Sequence, residues 1–140
     1  MRVGEVMTTD VEFVDSGMTV QEAAVTMGEL DVGALPVGNA ARVEGIVTDR
    51  DVLYRVVAKG RDPARITVGE ILSRPVVTCA EDDSVASVMD LMAANHIRRM
   101  PVLDPAGQVS GWITLADLAR KLLVESEALQ GALQGLTEPG

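Results

Sequence analysis

One cysteine, one histidine and three aromatic residues are all that this 140-residue chain carries of those types, and no apolar run approaches the ~20 residues needed to cross a bilayer. With Cys79 alone no internal disulfide can form, so a cytoplasmic location is the simplest expectation and no membrane partner is expected. Basic residues are outnumbered, 12 against 21 acidic, for a net charge of −9. That balance argues against a general phosphate-backbone binder, so nucleic acid is not an expected partner. A small anionic ligand stays open, because such sites use backbone amides and one or two local arginines. There is no Walker-type glycine-rich loop, no paired cysteine set and no nucleophile elbow, so nothing assembles an enzyme, a metal site or a required cofactor. Met1-Arg2-Val3-Gly4 runs straight into repeated sequence, and no signal peptide is expected.

What the chain does have is one unit written twice. Gly45-Ile46-Val47-Thr48-Asp49-Arg50-Asp51 returns as Gly111-Trp112-Ile113-Thr114-Leu115-Ala116-Asp117. Val3-Gly4-Glu5-Val6-Met7 answers to Val68-Gly69-Glu70-Ile71-Leu72, and Pro36-Val37 to Pro101-Val102. One extra residue in the turn Asp104-Pro105-Ala106-Gly107 accounts for the change of offset, at a place where insertions are tolerated. Two separate units of about 60 residues would each be marginal, so the halves are expected to pack together with a cleft between them.

Thr19-Val20-Gln21-Glu22 reads as a capping box opening a helix whose apolar stripe is Val20, Ala23, Ala24, Met27 and Leu30. In the second copy Ser84 or Asp83 caps the stripe Val85, Val88, Met89 and Met92, which ends at Asn95 and His96. Each helix leads to two short strands joined as a hairpin, the first ending in Pro-Val, the second spanning Val43 to Val47 or Val109 to Ile113. A second helix starts at Thr48 or Thr114, with Val52, Leu53, Val56 and Val57, or Leu118, Ala119, Leu122 and Leu123, on one face. With strands near Val11 to Val14 and Val76 to Thr78, each copy reads β-α-β-β-α, an α+β chain. The expected boundaries are 1–58 for the first domain, 59–65 for a linker, 66–123 for the second and 124–140 for a helical extension and tail. Leu129, Leu133 and Leu136 extend the last helical pattern, against which Gly131 and Gly135 each count about 1 kcal/mol, and Thr137-Glu138-Pro139-Gly140 is expected to fray.

Thr48-x-x-Asp51 and Thr114-x-x-Asp117 resemble capping boxes, which need no ligand. The same groups suit a polyhydroxylated ligand: free amides at a helix start accept phosphate, and a carboxylate accepts hydrogen bonds from two neighbouring ribose hydroxyls. Gly45 and Gly111 would let a planar base approach the strand. Arg98 and Arg99, just before Met100-Pro101, read on their own as a solvated pair balancing an acidic surface; Gly33 and Ala34 hold the equivalent places and carry no charge. His96 suits a helix end, Cys79 a buried apolar position, and Trp112 the core or a dimer contact.

In its glycine, apolar pair, threonine and aspartate, placed after a Pro-Val strand, each copy resembles a CBS domain, and the pair resembles a stand-alone tandem of them, the Bateman module. The resemblance spans residues 1 to 123. It implies two β-α-β-β-α subdomains packed with pseudo-twofold symmetry, a homodimer, and a regulatory ligand such as AMP, ADP or ATP; S-adenosylmethionine, NAD and cyclic dinucleotides fit the same grip. It further implies that Thr48 with Asp51 and Thr114 with Asp117 contact ribose and phosphate. Val11, Phe13, Val76, Thr78 and the Pro36 and Pro101 strands would wall the adenine, with Arg98 and Arg99 reaching phosphate, which makes the second copy the better-equipped half. Output would act in trans on a regulated protein partner. The rival expectation is a ligand-free structural or interaction module with vestigial sites.

Overall fold

The computed structural model describes residues 1–137, with side chains described to residue 135, so the expected frayed tail lies outside the described residues except for Thr137. In the first copy α1 (Val20–Leu30) precedes β1 (Ala34–Gly38), β2 (Val43–Thr48) and α2 (Asp49–Val52), which continues as a π-helical turn over Leu53–Val57. In the second, β3 (Cys79–Ala80) precedes α3 (Val85–Asn95), β4 (Arg99–Leu103), β5 (Val109–Thr114) and α4 (Leu115–Thr137). The caps are those the sequence predicts: Thr19 accepts from the Glu22 amide and Ser84 from the Ser87 amide, and His96 ends α3 in the left-handed region at φ 54°.

β1 pairs antiparallel with β2, and β4 with β5, in the same register, each with an irregularity at its far end. The expected first strands are shorter than the alternation of Val11 to Val14 and Val76 to Thr78 suggests. Only Val14 bridges to β1, giving its amide to the Pro36 carbonyl at 3.0 Å and accepting from Gly38 at 2.9 Å. In the second copy the strand is displaced to Cys79–Ala80. The reason lies in the partner strand. The next parallel bond upstream would need an amide N–H from Pro36 or Pro101, and proline has none.

Each half also lends a segment to the other. Val3 is fully buried in the core of the second copy with Val85, Val88, Met100 and Ile113, whereas Val68, Ile71 and Leu72 join the first-copy core of Val20, Leu35, Val37 and Val47. Ser73 exchanges backbone hydrogen bonds with Ile46 at 3.2 and 2.8 Å, and Thr8 does so with Trp112 at 2.9 and 2.8 Å. The bridges Thr19–Thr67 and Arg2–Ser84 are a second such pair. Exchanging i with i + 65, or i + 66 beyond the extra residue of the second turn, turns the members of each pair of bridges into one another, which is the pseudo-twofold relation of the halves.

The crossing segments explain the two motif glycines. A Cβ at Gly45 would collide with the Leu72 side chain and lie 2.9 Å from the Ser73 carbonyl; at Gly111 it would meet Met7 and stand 3.0 Å from the Thr8 carbonyl. The glycines admit protein backbone, not the planar base the sequence suggests. The helical stripes are corrected as well. Val56 is buried, but Leu53 and Val57 face outward, because the wider π turn, marked by the Ala58 amide on the Leu53 carbonyl, rotates them off the core. Among the described side chains of α4 only Leu118 is buried, and Ala119, Leu122 and Leu123 are exposed.

Candidate functional site

Thr48 ends β2 in extended backbone (φ −119°, ψ 161°), so its hydroxyl turns back over the first turn of α2 and accepts the Asp51 amide at 3.0 Å. Asp51 Oδ2 in return accepts the Thr48 amide at 3.0 Å, completing the capping box. Asp51 is 7% exposed and is the one charged side chain in the buried set of the described residues. Two groups the sequence reading missed hold it there. The Ser73 hydroxyl, brought by the crossing segment, donates to both carboxylate oxygens at 3.0 and 3.2 Å. The Arg55 Nε lies 3.5 Å from Oδ1, while its Nη1 donates to the Ile71 carbonyl at 3.2 Å. A cavity of about 410 Å³ opens beside this group, lined by Thr48, Arg50, Asp51, Tyr54, Arg55 and Ser73. The Arg50 guanidinium stands over the Tyr54 ring, 5.3 Å from its centroid. Ser73 is 22 residues from Asp51, so only the repeat of Met7-Thr8 as Leu72-Ser73 hinted that it would arrive there.

The second copy is built differently. The Asp117 amide donates to Thr114 Oγ1 at 3.1 Å, but the carboxylate is taken by Arg120 of its own helix, in a pair whose arginine is 73% exposed. Nor do the arginines equip the half that carries them. Arg98 is exposed, and Arg99 leans across to the first copy: a Cβ at Gly33 would stand 3.3 Å from Arg99 Nη1 and 3.0 Å from the Asp49 carboxylate. The Asp49 amide donates to the Gly33 carbonyl at 2.9 Å, which fixes that corner next to Thr48. Gly33, uncharged in sequence, is therefore the space into which a charge from the other half reaches.

The expected adenine walls fall elsewhere. Val76 and Thr78 line a larger cleft of about 630 Å³ with Val43, Arg74, Leu103 and Val109, at the hairpin-turn ends of the two sheets. That is the far end of β2 from Thr48, about 15 Å away over five strand residues. Phe13 lines a third hollow of about 450 Å³ with Gly38, Asn39 and Arg42, and Val11 is half-buried nearby in sequence. Pro36 and Pro101 are buried in the sheets. Cys79 is 5% exposed; burial first, and the Asp83 charge second, push its thiol up to about 11. No group of three or more His, Cys, Asp or Glu that could hold a metal occurs among the described residues, and no helix among them is long and apolar enough to cross a membrane.

The CBS domain model matches residues 3–58 and 68–124. The chain belongs to the CBS-domain family. Among curated proteins it is 39% identical over 117 residues to the CBS domain-containing protein YhcV of Bacillus subtilis, covering 84% of this chain and 82% of that one. A protein with CBS domains from Burkholderia ambifaria superposes with a TM-score of 0.83 at 28% identity, over 89% of this chain and 95% of the other. The CBS domain pair of protein MJ0100, solved in complex with 5′-methylthioadenosine and S-adenosyl-L-methionine, gives 0.79 at 25% identity, over 89% and 98%. CBS pairs of this kind are regulatory modules, and one such neighbour binds adenosine ligands.

Proposed function

We propose that this CBS pair senses an adenosine-containing nucleotide, with AMP, ADP or ATP first in line, at the cavity beside Asp51. The observation that carries the reading is that cavity itself: a buried carboxylate and a threonine hydroxyl placed for ribose, with Arg50 and Arg55 on the same wall for phosphate. The pair complexed with methylthioadenosine and S-adenosyl-L-methionine supports the ligand class. Thr48 and Asp51 take the ribose, and Arg99 adds positive charge from the second half. Thr114 and Asp117 form the weaker site, since Arg120 already occupies the carboxylate. The protein acts as a cytoplasmic homodimer, and the occupied form is recognised by a protein partner in trans.

Thermal unfolding with each nucleotide tests this. Binding to the folded state at a hundredfold excess over Kd adds about 2.7 kcal/mol, which is about 6–10 °C for a chain of this size. No shift with AMP, ADP, ATP, S-adenosylmethionine or methylthioadenosine rules the reading out. The second reading, an interaction module whose motifs only cap helices, is favoured by one fact: Asp51 already accepts from the Thr48 amide and the Ser73 hydroxyl without any ligand.

A further inference from the structure

None of the residues expected to wall an adenine lines the cavity beside Asp51. The aromatic surface that does is Tyr54, in the π-helical turn Leu53–Val57 and 55% exposed, so a planar ligand in the cavity can reach its ring. Arg50 lies four residues earlier, and its guanidinium rests over that ring, 5.3 Å from the centroid. The described residues give this guanidinium no carboxylate partner. The cation is parked on the ring and not fixed there, because such a contact at an exposed site is weaker than the stacking of a base on an aromatic side chain.

The repeat supplies an independent argument. Thr48 and Asp51 become Thr114 and Asp117, and at the same offset Arg50 becomes Ala116 and Tyr54 becomes Arg120. The two copies keep the carboxylate and exchange what stands beside it. Arg120 closes on Asp117 from three residues away, whereas the neutral tyrosine at the matching place forms no ion pair with Asp51 and leaves it on the cavity wall.

We infer that Tyr54 is the stacking platform for the base of the nucleotide. The base takes the ring face that Arg50 covers, and the displaced guanidinium turns to the phosphate. This narrows the ligand to a phosphorylated nucleoside, since an uncharged or cationic adenosine derivative would displace Arg50 and offer it no anion. The inference rests on the reading of the Asp51 cavity as a nucleotide site.

Calorimetric titration of the full chain tests it, with AMP, adenosine and ribose 5-phosphate as probes. Tyr54→Ala should raise the Kd for AMP about tenfold or more, the loss of one base–aromatic stack, and Tyr54→Phe, which keeps the ring, should restore it. Ribose 5-phosphate has no base and should lose no affinity in Tyr54→Ala. Arg50→Ala should weaken AMP but not adenosine; equal losses overturn the exchange of Arg50 from ring to phosphate. AMP should also move the ring-proton signals of Tyr54 upfield, and the signals are unambiguous because the chain has one tyrosine. Tyr54→Arg should weaken AMP more than Tyr54→Ala, because it rebuilds the grip by which Arg120 holds Asp117; a smaller loss overturns position 54 as the difference between the halves. AMP bound with one Kd by wild type and Tyr54→Ala overturns the platform and leaves the nucleotide site standing. AMP that does not bind wild type removes both.

Discussion

Asp51 and Asp117 occupy the same place in the repeat, yet their removal should not cost the same. In Asp51→Ala the Thr48 amide loses its acceptor, the Ser73 hydroxyl is left facing no partner on the carboxylate side, and Arg55 loses its counter-ion in a setting where Asp51 is 7% exposed. The capping bond contributes about 1 kcal/mol, and a buried hydrogen bond to a charged group about 1.5–3 kcal/mol. The Arg55 pair adds little, because that arginine is 54% exposed. These effects overlap, so the sum is about 2–4 kcal/mol. Asp117→Ala keeps the Thr114 cap, which is accepted by the threonine and not by the aspartate, and loses an ion pair to the exposed Arg120, at most about 1 kcal/mol. Urea unfolding followed by circular dichroism should therefore rank Asp51→Ala below Asp117→Ala by about 2 kcal/mol at unchanged m-value. Equal losses would refute the claim that the carboxylate ties the crossing segment to the first half.

Gly45→Ala should destabilise the protein by about 1–3 kcal/mol without any ligand present, since its Cβ would press on Leu72 and the Ser73 carbonyl; a variant that loses only ligand affinity would restore the base-stacking role. Cys79 supplies a pH test. Burial holds its folded pKa at about 11, above the ordinary thiol value of 9.0, so its contribution is complete below about pH 9 and falls as pH rises towards 11, where the unfolded chain ionises and the folded one does not. Wild type should lose stability across that window faster than Cys79→Ala, and parallel pH profiles would show that the thiol is not held neutral by burial.

The elements that were legible in the sequence are those whose causes sit within a few residues: the Thr19 and Ser84 caps, the Thr48 box, the two hairpins and the helix stop at His96. Their donors and acceptors are neighbours, so spacing alone identifies them. What escaped depends on residues far apart. The first strands are cut short by prolines in the strands they would join, a loss visible only once the pairing is known. The π turn shifts Leu53 and Val57 outward with no local signal such as a proline or glycine. Arg99 counts for the first copy because of where the pseudo-twofold relation places Gly33, a position whose lack of charge pointed to the opposite conclusion.

Cap and ligand grip look like rival accounts of the repeated motif, but the geometry of the first copy makes them compatible. An ionised carboxylate has two oxygens and about four lone-pair directions. The Thr48 amide takes one on Oδ2, the Ser73 hydroxyl is shared between both oxygens, and Arg55 at 3.5 Å stands beyond a close hydrogen bond. At least one direction therefore stays open towards the cavity that Asp51 helps to line. The glycine of the motif belongs to the same device: it admits the crossing strand that covers the β2 edge and delivers Ser73 to the carboxylate. In the second copy the corresponding segment presents Thr8 to β5, while Arg120 holds Asp117 from within its own helix. The fold needs the glycine and the threonine in both halves. What differs is the aspartate, which the first half ties to the other copy and leaves one open side.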